Sequence, residues 1–145
     1  MKVKSVSFFA LVIAAAVVVL MAYIRLSPSD LVRWNVDPSA AFAPSDSVGQ
    51  VITQTGGATL RLEGSDDLLV RLDAIAVASP RTQRLAGSVA DGRITWITRS
   101  ALWGFPDYTT AALKPDGLYI NARLRFGKSD LGVNAARLRD WQTKL

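Results

Sequence analysis

The hydrophobic pattern splits the chain into two regimes. Residues 8–24 form an unbroken run of 17 apolar side chains, and Val6 extends it. No polar face interrupts the run, so its natural partner is hydrocarbon on all sides. At about 1.5 Å per residue, about 20 such residues cross a ~30 Å apolar core. Ser5 and Ser7 are tolerated within a helix, and one spanning helix is expected. A cleaved signal peptide requires a shorter apolar stretch followed by small residues. Here the run closes Leu20-Met21-Ala22-Tyr23-Ile24-Arg25, with a large residue where a small one is needed. An uncleaved anchor over residues 1–26 is therefore expected, with Tyr23 at the interfacial aromatic position.

Residues 27–57 lose all periodicity. Pro28, Pro38, Pro44, Gly49, Gly56 and Gly57 lie among small polar residues, a composition that predicts a loop or tether. Trp34 and Phe42 either pack back on the domain or rest at the headgroup level. From Ala58 the pattern resumes. Residues 59–63 alternate as a strand, Ser65 reads as a helix cap, and Asp66 and Asp67 suit a first helical turn. Leu68, Leu72, Ile75 and Ser79 recur at helical spacing until Pro80. Strands follow over residues 83–88 and 93–100, joined by the turn Asp91-Gly92. A strand over 106–113 leads through Lys114-Pro115-Asp116-Gly117 into the clearest strand, 118–126. Leu118, Ile120, Ala122, Leu124 and Phe126 share one side of it, and Tyr119, Asn121, Arg123 and Arg125 the other. A last helix carries Leu138, Trp141 and Leu145. The expected architecture is α+β: an N-terminal transmembrane helix, then over residues 58–145 a small antiparallel sheet of about four to five strands packed by two helices.

Charge sharpens this picture. The net charge is +5, but residues 27–80 hold 3 basic and 7 acidic side chains, whereas residues 81–145 hold 11 and 5. The final third is a basic platform that favours anionic partners. Lys2 and Lys4 precede the apolar run with no acid among them. The positive-inside bias then places the amino terminus in the cytoplasm and the domain on the periplasmic, outer side. Nucleic acid is not expected as a partner there. The bilayer is, and with it an anionic lipid or a membrane protein. The chain has no Cys and no His, so thiolate nucleophiles, disulfides and the best transition-metal ligands are excluded. No cofactor is expected.

Arg125-Phe126-Gly127-Lys128-Ser129-Asp130-Leu131-Gly132-Val133-Asn134, followed by Arg137, resembles the signature of domain-of-unknown-function family 1499. Arg99-Ser100 and Phe105-Pro106-Asp107 fit the same family at the expected spacing, and the resemblance covers roughly residues 57–141. Many members carry Arg where this chain has Asn121, with Arg123 two residues on. The resemblance implies a domain type and common membrane association, and no reaction.

Several local patterns invite chemistry. Residues 122–129 read A-x-x-x-x-G-K-S, a relaxed phosphate-loop pattern. Its loop positions lie inside an alternating strand, however, where no flexible amide cradle forms. Asp130, Asn134 and Lys128 suit a pocket rim; the simpler reading makes Asp130 or Asn134 the cap of the last helix. Arg84, Arg99, Arg123 and Arg125 lie on candidate neighbouring strands. They form an anion cradle if their faces coincide, or else a solvated face with ion pairs to Asp107 and Asp116. The segment Leu102-Trp103-Gly104-Phe105-Pro106 is apolar for a loop. It dips into the bilayer, closes a cleft or caps the core, and Asp107 and Tyr108 would line any cleft beneath it. The expected function is non-enzymatic: a membrane-tethered envelope domain that binds an anionic or amphipathic ligand, or a membrane-protein partner. The alternative is a hydrolase or transferase of unknown type that uses Asp107, Tyr108 or Asp130 with arginines.

Overall fold

The computed structural model describes residues 2–64 and 67–145, with side chains from Ser7 onward. The cap expected at Ser65 and the first-turn place of Asp66 lie outside the described residues. Helix α1 runs Lys2–Leu26. Within it, Ser7–Leu26 has a mean hydropathy of 2.7 and is almost wholly unburied, so it is long and apolar enough to cross a membrane.

Two short elements follow, α2 at Leu31–Trp34 and a 3-10 turn at Pro38–Ala41. The strands are β1 (Ile52–Gln54), β2 (Gly57–Leu62), β3 (Thr82–Ser88), β4 (Arg93–Arg99), β5 (Pro106–Lys114) and β6 (Gly117–Leu124). Helix α3 (Asp67–Ala78) lies between β2 and β3, and α4 (Val133–Lys144) ends the chain. All pairings are antiparallel, in the order β1-β2-β6-β5-β4-β3. The expected meander is β3 to β6, and α3 carries the chain from β2 across to its far edge. The sheet has six strands rather than four or five. The additional one, β1, is a three-residue hairpin arm on β2, too short to leave a periodic trace. The last strand stops at Leu124, so Phe126 belongs to the following loop.

One face of the sheet carries the main core. Leu60, Trp96, Ala111, Leu118, Ile120 and Ala122 meet Leu69, Leu72 and Ala76 of α3 and Ala135, Leu138 and Trp141 of α4. Trp96 and Trp141 meet edge to face at 5.9 Å. Each indole N–H is satisfied, Trp96 by Asp73 at 2.9 Å and Trp141 by the Ser79 hydroxyl at 2.8 Å. Burying aromatics of this size contributes roughly 2–3 kcal/mol each, provided those polar atoms find partners.

The second face is also covered. The segment from Ser29 to Phe42, within a span whose composition reads as a tether, lies along it, and the same span ends in β1 and the start of β2. Asp30 caps α2 by accepting from the Val32 and Arg33 amides, and Asp37 caps the 3-10 turn with Pro38 in its first position. Trp34 is buried against Ile97 and Tyr108, and Phe42 meets Tyr119 edge to face. Of the two alternatives for Trp34 and Phe42, both pack back on the domain. Proline and glycine here punctuate short capped turns that are pinned by single aromatic anchors.

Candidate functional site

Four connections leave the same end of the sheet: the β4–β5 loop, the β6–α4 loop, the β1–β2 turn and the entry to β3. The carboxyl end of α1 rests on that end. Ile24 is buried, Tyr23 meets Phe126 edge to face at 6.3 Å, and Arg25 donates to the Leu102 carbonyl at 3.0 Å.

The β4–β5 loop, residues 100–105, is tightly built. The Ser100 amide donates to the Phe105 carbonyl, and the Ser100 hydroxyl accepts from the Phe105 amide, both at 3.0 Å. Arg99 donates to the Gly104 carbonyl at 3.0 Å. Gly104 has a left-handed φ of +74°, and a Cβ there would meet Arg25 Cγ at 2.9 Å, so this turn requires glycine. With its polar groups bonded inward, the loop turns Leu102, Trp103 and Phe105 outward. They face Phe126, Leu131 and Val133 across a cleft of about 400 Å³. Leu131 is 92 % exposed and Leu102 70 % exposed, so the loop does not cap the core. Contiguous exposed apolar surface of this kind is costly in water and uncommon on folded domains.

One wall of this cleft is polar. Asp107, on the helix face of β5, pairs with Arg137 of α4 at 3.3 Å, and both side chains are largely buried. Burial pushes the Asp107 carboxyl above its ordinary value; Arg137 pulls the other way, and nearby Asp130 adds to the rise. Asp130, despite burial that acts to raise it, is held below its ordinary value by the amides of Asn134 and Gly132, at 2.9 and 3.2 Å. Asp130 therefore holds the first turn of α4 from two residues outside it, the N-cap position itself being Gly132. Asn134 is fully buried and accepts from Arg137, while its amide nitrogen lies without a bond of ordinary geometry beside the two carboxylates.

The structure thus gathers Trp103, Asp107 and Asp130 around one cleft, with Asn134 fully buried beside the two carboxylates. It does not gather the arginines. Arg84 lies on the helix face, where it bonds Asp73. Arg99, Arg123 and Arg125 lie on the opposite face, so the four-arginine cradle does not form. Arg123 donates to the Trp34 carbonyl at 2.8 Å and sits over the Trp34 ring, and burial lowers its pKa. Arg125 donates to the Pro28 carbonyl at 3.0 Å and to the Tyr108 hydroxyl at 3.1 Å. Both bind the chain's own backbone. The solvated-face reading fails as well: Asp107 pairs with Arg137, and Asp116 with Arg61. Tyr108 is buried on the second face, because adjacent strand residues point to opposite sides, and it cannot share a site with Asp107. Lys128 borders a separate cavity of about 510 Å³ beside Gln54 and Asn121. Sequence reasoning missed Phe126, Leu131 and Val133 as parts of the cleft, and Arg137 as the partner of Asp107. The exposed Leu131 and Val133 in a glycine-bounded loop were the available signal.

Fold and site together define an α+β domain with an apolar-rimmed cleft beside the end of an apolar amino-terminal helix. The family described as "Protein of unknown function (DUF1499)" matches residues 34–145, and the chain belongs to it. The match begins at Trp34, the residue that docks the amino-terminal segment on the sheet, and so extends further than the resemblance over residues 57–141. No curated protein and no solved structure matches the chain.

Proposed function

We propose that the chain is a single-pass membrane protein, with its amino terminus in the cytoplasm and its domain on the outer side. In this reading the cleft takes the apolar part of an amphipathic molecule from the bilayer. One observation carries it: the cleft formed by Trp103, Phe105, Phe126 and Leu131 opens beside the carboxyl end of α1, tied there by the Tyr23–Phe126 and Arg25–Leu102 contacts. A bilayer crossed by α1 would meet this rim first. The experiment is fluorescence of the full chain in nanodiscs containing lipids with brominated acyl chains. Trp34, Trp96 and Trp141 are buried, so the quenching removed by Trp103→Phe reports the cleft. Strong Trp103 quenching is expected, and its absence overturns the reading. Topology has a separate test. The chain has no Cys, so Val89→Cys gives one thiol on the domain, and an impermeant maleimide should label it in intact cells stripped of their outer layer.

A second reading, a hydrolase or transferase, is favoured by the buried, raised Asp107 carboxyl beside the ionised Asp130. It predicts turnover by the full chain that Asp107→Asn abolishes while Trp103 quenching persists. Tyr108 has no part in it.

A further inference from the structure

On the other side of the 100–105 loop lies a cavity of about 330 Å³, lined by Arg25, Arg81 and Arg99 with Thr82, Gln83 and Ser100. We propose that these three arginines form a phosphate site for the headgroup of an anionic amphiphile whose apolar part occupies the neighbouring cleft. The proposal rests on the amphiphile reading above and names the polar end of its ligand.

Each guanidinium is oriented by a bond to a backbone carbonyl. Arg25 donates to Leu102 at 3.0 Å, Arg81 to the Arg99 carbonyl at 3.1 Å, and Arg99 to Gly104 at 3.0 Å. A guanidinium carries five N–H donors, so donors remain on every one. Among the described residues, none of the three lies in an ion pair with a carboxylate. Three like charges around one cavity repel one another, and an anion between them reverses that penalty. A phosphate, with several oxygens and full charge, matches fork-shaped donors better than a single point acceptor does.

Two further observations place the anion at a membrane surface. Arg25 directly follows the apolar run of α1, so a bilayer crossed by that helix would bring lipid phosphates to its level. Ser100 lines both this cavity and the apolar cleft, so one short loop separates a cationic chamber from an apolar one. A glycerophospholipid has this same succession of phosphate and acyl chain. Arg81, moreover, adopts a left-handed φ of 56°, unfavourable for a residue with a Cβ. The Arg99 amide, bonded to the Arg81 carbonyl at 3.0 Å, holds it there. Strain of this kind concentrates where a side chain must be aimed.

The test is native mass spectrometry of the full chain in detergent, offered phosphatidylglycerol and the diacylglycerol with the same acyl chains. The two differ only in the phosphate headgroup. Wild type should prefer phosphatidylglycerol by at least about tenfold, the value of one or two charge-assisted bonds. The Arg81→Gln/Arg99→Gln pair should abolish the preference, bringing phosphatidylglycerol down to the level of diacylglycerol in the same variant. Trp103→Ala should weaken both lipids equally. If the double variant fails to fold, Arg25→Gln, whose guanidinium bonds an exposed loop carbonyl, should reduce the preference on its own. Equal binding of the two lipids by wild type overturns the proposal, as does a preference that survives the arginine substitutions. If neither lipid binds, the cleft reading fails by itself, and phosphorus NMR with inorganic phosphate decides on the arginines. Arginine-dependent binding then assigns the site to soluble phosphate, and no binding overturns it.

Discussion

The ring of Trp34 stacks on the ring of Tyr108, with centroids 4.0 Å apart and planes 14° from parallel. Around this pair, Ser29 bonds the Tyr108 hydroxyl at 2.6 Å and Arg125 reaches the same oxygen at 3.1 Å. Arg123 bonds the Trp34 carbonyl and lies over its ring. The segment between α1 and the sheet is thereby fastened, and the apolar helix meets the domain in one orientation. Trp34→Ala should cost about 3–5 kcal/mol, as large aromatic truncations in a packed site do. Tyr108→Phe, which removes only the shared hydroxyl, should cost about 1–2 kcal/mol. Equilibrium denaturation of the full chain in detergent reads both.

The pH dependence should carry two opposite contributions. The Lys114 ammonium bonded to Asp37 lowers that carboxyl from 3.8 to about 2. A carboxyl lowered by folding contributes stability above its unfolded value, and loses it as pH falls from 3.8 through about 2. Asp107 runs the other way. Burial raises its carboxyl, so ionising it works against the folded state, and acidification through its folded pKa relieves that cost. Carboxyl carbon NMR should show Asp107 titrating above Asp37. Lys114→Met should remove the loss of stability between pH 3.8 and about 2.

Leu102 and Leu131 give a clean separation of function from stability. Each is mostly exposed, so Leu102→Ser with Leu131→Ser should change the unfolding free energy by less than about 0.5 kcal/mol per site. Quenching of Trp103 by brominated acyl chains should nevertheless fall severalfold. A large loss of stability would mean that the rim packs in the folded protein.

Asp73 and Arg84 should respond unequally. Asp73 is nearly buried and accepts from both the Trp96 indole and Arg84, whereas the Arg84 side chain is half exposed. Asp73→Ala strands a buried indole N–H and should cost about 2 kcal/mol. Arg84→Ala removes one partly solvated ion and should cost less than about 1 kcal/mol. Thermal melts of the two variants test the difference.

The amino-acid sequence by itself determined the elements whose signal is local. An apolar run without a polar face can only be a wholly apolar helix. The alternation from Leu118 to Leu124 can only be a strand with one apolar face, and the turns at Asp91-Gly92 and Asp116-Gly117 make their neighbours antiparallel. Asp130 was legible as a partner of the first turn of α4 because such bonds depend on residues within one turn, although the N-cap position itself falls on Gly132. The candidate site was only half legible. Trp103, Asp107, Asp130 and Asn134 converge because two loops leave the same end of a sheet, which follows from strand order. Tertiary structure alone decided which polar face would be covered. Arg123 and Arg125 alternate outward as solvated or ligand-binding arginines would, yet the carbonyls of Pro28 and Trp34, some ninety residues away, occupy them. It alone also brought Arg25, Arg81 and Arg99 around one cavity, from a helix end, a strained turn and a strand end. Periodicity reports which side of an element is apolar; which distant segment meets its polar side is set by long-range packing, and no local pattern encodes that.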